Sequence, residues 1–230
     1  MSLKIKKLIF YPKRRGDAPI WQQGAYMPIS VNNNRIANQD SLKEILELIF
    51  NNCDSFTAVL GGYLHRHNLQ MLIGLPEEQA KSKGLEIEES LIQHVSKVAS
   101  ELNKSKNIRF VPSSKFYHYN EFKPRFEELL SIYHVHKGFF RIMEDTVDSF
   151  LLRNITNLSI SEIKSRELCK NYLLEEIVIF ELLAKEGYKL NIYPGQQLPV
   201  IKEIVNGTLK GISTILESIS LIEIKFKPNN

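Results

Sequence analysis

The chain is poor in long apolar runs, in cysteine and in net charge. No apolar stretch approaches the ~20 residues that a bilayer-spanning helix needs, so no membrane span is expected. The opening MSLKIKKLIFYPKRRG is basic, but its apolar part is only a few residues long, too short for a signal-peptide h-region. A cytoplasmic protein is the expectation. Two cysteines, Cys53 and Cys169, make neither a disulfide framework nor a metal-ligand cluster, and free thiols suit that compartment. A net charge of only +4 permits nucleic acid as a partner without requiring it. Familiar site motifs are missing too. There is no G-x-x-x-x-G-K-[ST] phosphate loop, no G-x-G-x-x-G dinucleotide fingerprint and no G-x-S-x-G nucleophile elbow. No Cys/His spacing makes a zinc site. A common ATPase, dehydrogenase or α/β-hydrolase is thereby disfavoured, and no metal, flavin or nucleotide cofactor is indicated.

What is present reads as one soluble domain spanning residues 1–230. Hydrophobic content of 43% and charged content of 24% are ordinary for a globular protein, and the length suffices for a sizeable α/β core. Strands are expected at 4–10, 24–30, 56–60, 108–111 and 188–193, with a last one within 212–226. Helices are expected at 41–52, where Leu42, Ile45, Leu46 and Ile49 share one face and Asp40 or Ser41 caps the start. Further helices are expected over 76–103, over 121–154 with interruptions near Pro124 and Gly138, up to Gly187 from a capping box of Ser159 and Glu162, and over 197–206. The alternation of strands and helices predicts a Rossmann-like α/β fold, a parallel sheet with helices on both faces. The stretch from Tyr63 to Asn68 carries two histidines around an arginine. With no further ligand nearby, a surface turn is the expectation there rather than metal or phosphate chemistry.

The stretch 171–207 concentrates the chemistry. Tyr172 and Glu176 are four residues apart in a helical pattern and share a face. Alone, such a pair reads as half-buried packing. Yet Glu176 lies in the nearly continuous apolar run LLEEIVIFELL, and a carboxylate facing a core needs a cation or hydrogen-bond donor. A substrate ammonium or an ordinary Lys or Arg would serve. Gly187 turns the chain into a short strand, which Tyr193-Pro194-Gly195 stops.

Taken in order, a strand ending in Ile29-Ser30 with Asn33 three residues on, AVLGGYLHRHN, Tyr172-x-x-x-Glu176, and Tyr193-Pro194 with a downstream Leu-Pro resemble the tRNA-dependent cyclodipeptide synthases. The resemblance covers nearly the whole chain. That family resembles the catalytic domain of tyrosyl- and tryptophanyl-tRNA synthetases, but uses ready-made aminoacyl-tRNA and no ATP. Pro194 is similar to the family's proline branch, whereas Asn33 is usual in its histidine branch. By this resemblance Ser30 is the nucleophile that takes the aminoacyl group, and Tyr172 and Glu176 hold the α-ammonium. Tyr193 positions groups or moves a proton near Ser30, and Asn33 and Gly61 line the substrate site. The implied reaction is ping-pong, with two aminoacyl-tRNAs per cycle yielding a 2,5-diketopiperazine, as in secondary metabolism, and a monomer is usual. Pro28 stands where the family often has glycine, which removes a backbone N–H donor. Gln196 stands where some relatives carry an acid.

Read without the resemblance, Ser30 is a strand-end serine capping a turn. Binding tRNA needs positive surface, and the candidates are Lys13, Arg14, Arg15, Lys81, Lys83, Lys123 and Arg125. The helix carrying Lys81 and Lys83 mixes signs, so a patch assembled by folding is expected. A catalytically inactive tRNA-binding or regulatory protein is the alternative. A true synthetase is disfavoured, since no H-I-G-H element is present and Ala80-Lys81-Ser82-Lys83-Gly84 is only a faint echo of a lysine loop.

Overall fold

The fold is described from a computed structural model that defines residues 3–12, 21, 24–31 and 33–228. In chain order the elements are β1 (Leu3–Tyr11), β2 (Ala25–Ile29), α1 (Asn34–Ala37), α2 (Gln39–Phe50), β3 (Phe56–Leu60), α3 (Arg66–Ile73) and α4 (Glu77–Glu101). They continue with β4 (Ile108–Pro112), α5 (Phe122–Val135), α6 (Lys137–Asn154), α7 (Glu162–Lys185), β5 (Leu190–Tyr193), α8 (Pro199–Val205) and β6 (Ser220–Pro228). The six strands form one sheet in the order β1-β6-β5-β2-β3-β4.

Strands β2 to β6 run parallel, as the alternating pattern predicts, while β1 is an antiparallel edge on β6. An antiparallel edge on an otherwise parallel sheet is a common variation. Strand pleating divides the core. Ala25, Met27 and Ile29 point to one face with α1, α2 and α4; Tyr26 and Val59 point to the other with α3 and α5 to α8. Helix α2 buries the stripe Leu42, Ile45, Leu46 and Ile49 as expected. Its cap, however, is Asn38, whose Oδ1 accepts from the Ser41 N–H at 2.9 Å. Asp40 and Ser41 already lie inside the helix.

Three other expectations are corrected. The α7 cap is Ser161, accepting from the Lys164 N–H; Ser159 instead donates its hydroxyl to the Leu72 carbonyl at 2.8 Å. Pro124 does not interrupt α5, because it sits in the first turn, where the missing N–H has no intrahelical partner to lose. The break falls at His136, whose Nδ1 caps α6 through the Phe139 N–H at 3.0 Å. The segment from Tyr63 to Asn68 is not a surface turn: Arg66, His67 and Asn68 begin α3 and are buried. Two glycines make that possible. A Cβ on Gly62 would meet the Gly84 carbonyl oxygen and the Glu88 N at 2.7 Å, so only a bare backbone fits against α4 there.

The sheet order sets the place for a site. Chain progression runs outward from β2 through β3 to β4 on one side, and from β5 to β6 on the other. Between β2 and β5 the order reverses, and open α/β sheets bind ligands beyond the carboxyl ends of strands at such a point. The β2–β5 ladder covers only Ala25 and Tyr26, paired with Leu190 and Asn191. Beyond it the sheet opens, and Pro28 stands past the end of that ladder.

Candidate active site

Helix α7 crosses behind this opening. Every residue from Leu173 to Ala184 is buried, so this stretch of α7 is covered on all sides and its three glutamates, Glu175, Glu176 and Glu181, lie inside. A buried carboxylate must be paired or become neutral, and the three meet this differently. Glu175 accepts from Arg66 Nη2 at 2.6 Å, from the Tyr117 hydroxyl at 2.6 Å, and contacts His67 Nε2 at 2.9 Å. Burial works against its charge, but these partners outweigh it and hold the carboxyl below its ordinary value. Glu181 receives both arms of the Arg125 guanidinium, at 2.6 and 2.7 Å. Glu176 has no cation partner among the described residues. Its Oε2 is buried without a hydrogen-bond partner among the described residues, and burial pushes its carboxyl up to about 8.

The carboxyl of Glu176 faces a hollow of about 30 Å³ that Ser30, Gly61, Tyr172 and Tyr193 also line. Pro28, Val59, Leu64 and Phe180 supply its apolar walls. Ser30 follows β2 and Tyr193 closes β5, which places the two strand ends on either side of the opening. Both phenols stay protonated: burial and then the Glu176 charge raise Tyr172 and Tyr193, while Arg35 lowers Tyr193 slightly against them. A second cavity of about 520 Å³ adjoins the hollow, sharing Ser30, Tyr172 and Tyr193 and adding Arg35, Phe150 and Arg153. Cys169 also lines it, but burial pushes that thiol up to about 12, so it is a wall and not a competing nucleophile.

The remaining predicted residues fall out as follows. Asn33 lines the larger cavity but spends its amide on the backbone: Nδ2 donates to the Pro194 carbonyl at 2.8 Å and Oδ1 accepts from the Arg35 N–H at 3.1 Å. It ties the turn after Ser30 to the turn after Tyr193. Gly61 donates its N–H to the Ile29 carbonyl at 2.9 Å and so holds the end of β3 against the end of β2. Gln196 is exposed at the rim of the larger cavity. Lys13, Arg14 and Arg15 lie outside the described residues. Lys81 is paired with Glu77 and Glu78, and Lys83 with Glu86. Arg125 is committed to Glu181 and Glu128, while Lys123 reaches Glu127 only at 3.9 Å and is largely exposed.

The cluster of Arg66, His67, Tyr117 and Glu175 was not legible in the sequence. Its members are joined across as many as 109 positions, and no local pattern marks such a pairing. The one available signal was the run of buried glutamates, which demanded partners without naming them. Arg35 and Arg153 were likewise missed.

No protein-family model matches the sequence, and no curated protein is found similar to it. Solved structures do match. A CDPS from Fluoribacter dumoffii superposes with a TM-score of 0.80 at 16% identity, covering 97% of this chain and 99% of that one. A Mycobacterium tuberculosis protein, whose structure relates cyclodipeptide synthetases to type I tRNA synthetases, matches with a TM-score of 0.65 at 14% identity over 91% of this chain and 87% of that one. The cyclodipeptide synthase from Candidatus Glomeribacter gigasporarum, solved bound to Phe-tRNAPhe, matches with a TM-score of 0.62 at 17% identity over 90% and 89%. The fold is therefore the synthetase-like α/β fold of these proteins, end to end. Among the described residues no helix is long and apolar enough to cross a membrane.

Proposed function

We propose that this chain is a tRNA-dependent cyclodipeptide synthase of the Tyr-Pro type, acting through Ser30. One observation carries the reading: of the three glutamates in the buried stretch of α7, two are neutralised by arginines of the same chain. The third, Glu176, lines the Ser30 hollow with no cation partner among the described residues. A substrate ammonium supplies the missing charge.

An aminoacyl-tRNA ester is already activated, so acyl transfer to Ser30 needs no nucleotide. The Ser30 hydroxyl attacks the ester carbonyl, the tRNA ribose oxygen leaves, and the serine proton passes to that leaving oxygen or the substrate amine. Glu176 holds the α-ammonium, with Tyr172 one turn away and Tyr193 across the gap. The amine of the aminoacyl-enzyme then attacks a second aminoacyl-tRNA, releasing its tRNA and leaving a dipeptidyl ester on Ser30. The new terminal amine attacks that ester; the ring closes and Ser30 is freed. Attack requires the neutral amine, whose ordinary pKa is ~7.7–8.0. Burial raises the Glu176 carboxyl when no cation is beside it, so as the amine gives up its proton to attack, the same carboxyl is the group placed to take it. Confinement beside the ester supplies the proximity for cyclisation. Aminoacyl-tRNA is the partner, two per turnover, with Lys123 and other surface cations as phosphate contacts.

Expression in a bacterial host, with mass spectrometry of the medium, tests this. A diketopiperazine that disappears on Ser30→Ala supports it. Abundant folded protein that yields none favours instead an inactive tRNA-binding protein on this fold.

A further inference from the structure

The larger cavity has an unusual charge balance. Two guanidiniums line it, Arg35 from α1 and Arg153 from α6, and no carboxylate lines it among the described residues. Neither arginine has an ion-pair partner there, in contrast to Arg66, Arg125 and Arg166, each of which holds a carboxylate at 2.6 Å. Arg35 is held in place without being neutralised. Its guanidinium lies over the Phe226 ring, 5.4 Å from the centroid, and its Nε is buried with no acceptor. Gly195 makes room for it: a Cβ there would lie 2.7 Å from Arg35 Nη1, and the glycine's φ of +135° disfavours any side chain. The turn after Tyr193 thus packs against a guanidinium that no carboxylate among the described residues pairs. Arg153 is exposed and also lines a neighbouring cavity of about 520 Å³ together with Asp145, Gln196 and Pro199.

We infer that Arg35 and Arg153 form an anion subsite for the last phosphodiester of the RNA acceptor strand, seating the terminal ribose ester over Ser30. This rests on the function proposed above. The chemistry favours a phosphate. The nearest anion to an aminoacyl ester on a terminal ribose is the phosphate on that same nucleotide, and guanidinium forks match phosphate oxygens bidentately. A neutral amino acid offers no such group once its carboxyl is esterified. Arg35 and Arg153 are positioning residues: they act on where the ester sits, not on the bonds that change.

The test compares two synthetic donors, an aminoacyl-CpCpA trinucleotide and the matching aminoacyl-adenosine without phosphate, by intact-mass measurement of Ser30 acylation. Wild type should prefer the phosphate-bearing donor, and R35A or R153A should reduce that preference about ten- to a hundredfold, the worth of a charge-assisted hydrogen bond. R35K, keeping the charge without the fork, should restore part of it. Arg153 is exposed, so R153A retains the fold even if R35A does not. If the variants lower both donors equally and leave the preference intact, the arginines are structural and the inference fails. Binding of unacylated CpCpA against adenosine, read by calorimetry, separates this from the function itself. A phosphate preference that R35A or R153A abolishes, in a protein that acylates with neither donor, keeps the subsite and removes the catalytic reading. Absence of any phosphate preference in binding overturns the subsite.

Discussion

Glu176→Gln should make the protein markedly less sensitive to alkaline pH. In the empty protein the Glu176 carboxyl is held up to about 8 by burial, against 4.5 when solvated. An acid raised on folding contributes stability that is fully present below its unfolded value and is lost as pH rises through its folded value. The window is therefore pH 4.5 to about 8. At ~1.4 kcal/mol for each tenfold change in proton affinity, full ionisation costs on the order of 5 kcal/mol. Among the described residues no cation offsets this; the phenols of Tyr172, Tyr193 and Tyr26 are the titratable groups that feel the carboxyl. Glutamine has the shape but not the ionisation, and its own hydrogen-bonding cost is the same at every pH. Thermal melts at pH 5 and pH 8.5 should show wild type losing on the order of 10 °C relative to the variant across that interval, given ~2–4 °C per kcal/mol for a chain of this size. An ammonium ligand in the hollow should cancel the loss, binding with release of a proton. A difference between variant and wild type that stays constant from pH 5 to 8.5 would refute the reasoning.

Other consequences concern the frame around the site. Arg125→Ala leaves Glu181, whose side chain is 3% exposed, without its counter-charge; a loss of ~3–5 kcal/mol is expected by chemical denaturation, and an unchanged midpoint would show the pair to be dispensable. Gly62→Ala should destabilise by ~1–3 kcal/mol, because the added methyl meets backbone of α4 at 2.7 Å; wild-type stability in that variant would mean that the loop and α4 separate freely.

Much of the architecture was legible because it rests on period. The stripe on α2 and the alternation of short apolar strands with helices give the layers directly, and Gly187 ends α7 with φ +97° as its position implies. The antiparallel edge was not legible, since residues 4–10 read the same in either direction and only pairing with β6 decides it. Caps were misread where neighbouring residues could all serve: Asn38 wins over Asp40 and Ser41, and Ser161 over Ser159. The candidate site residues Ser30, Tyr172, Glu176 and Tyr193 came from motif order, and the fold brings them to one hollow. Which glutamate is left open was not readable. Adjacent Glu175 and Glu176 differ only in the side they occupy on the buried stretch of α7, and the partners of Glu175 come from α3 and from Tyr117. The same limit hid the contrast between paired Arg125 and unpaired Arg35.

The most direct measurement is the intact mass of the purified protein after exposure to a pool of aminoacyl-tRNAs and rapid acid quench. The account predicts an added mass equal to one aminoacyl residue, located on Ser30 by peptide fragmentation and missing from Ser30→Ala. An adduct on any other residue, or none on folded protein that binds tRNA, would contradict it.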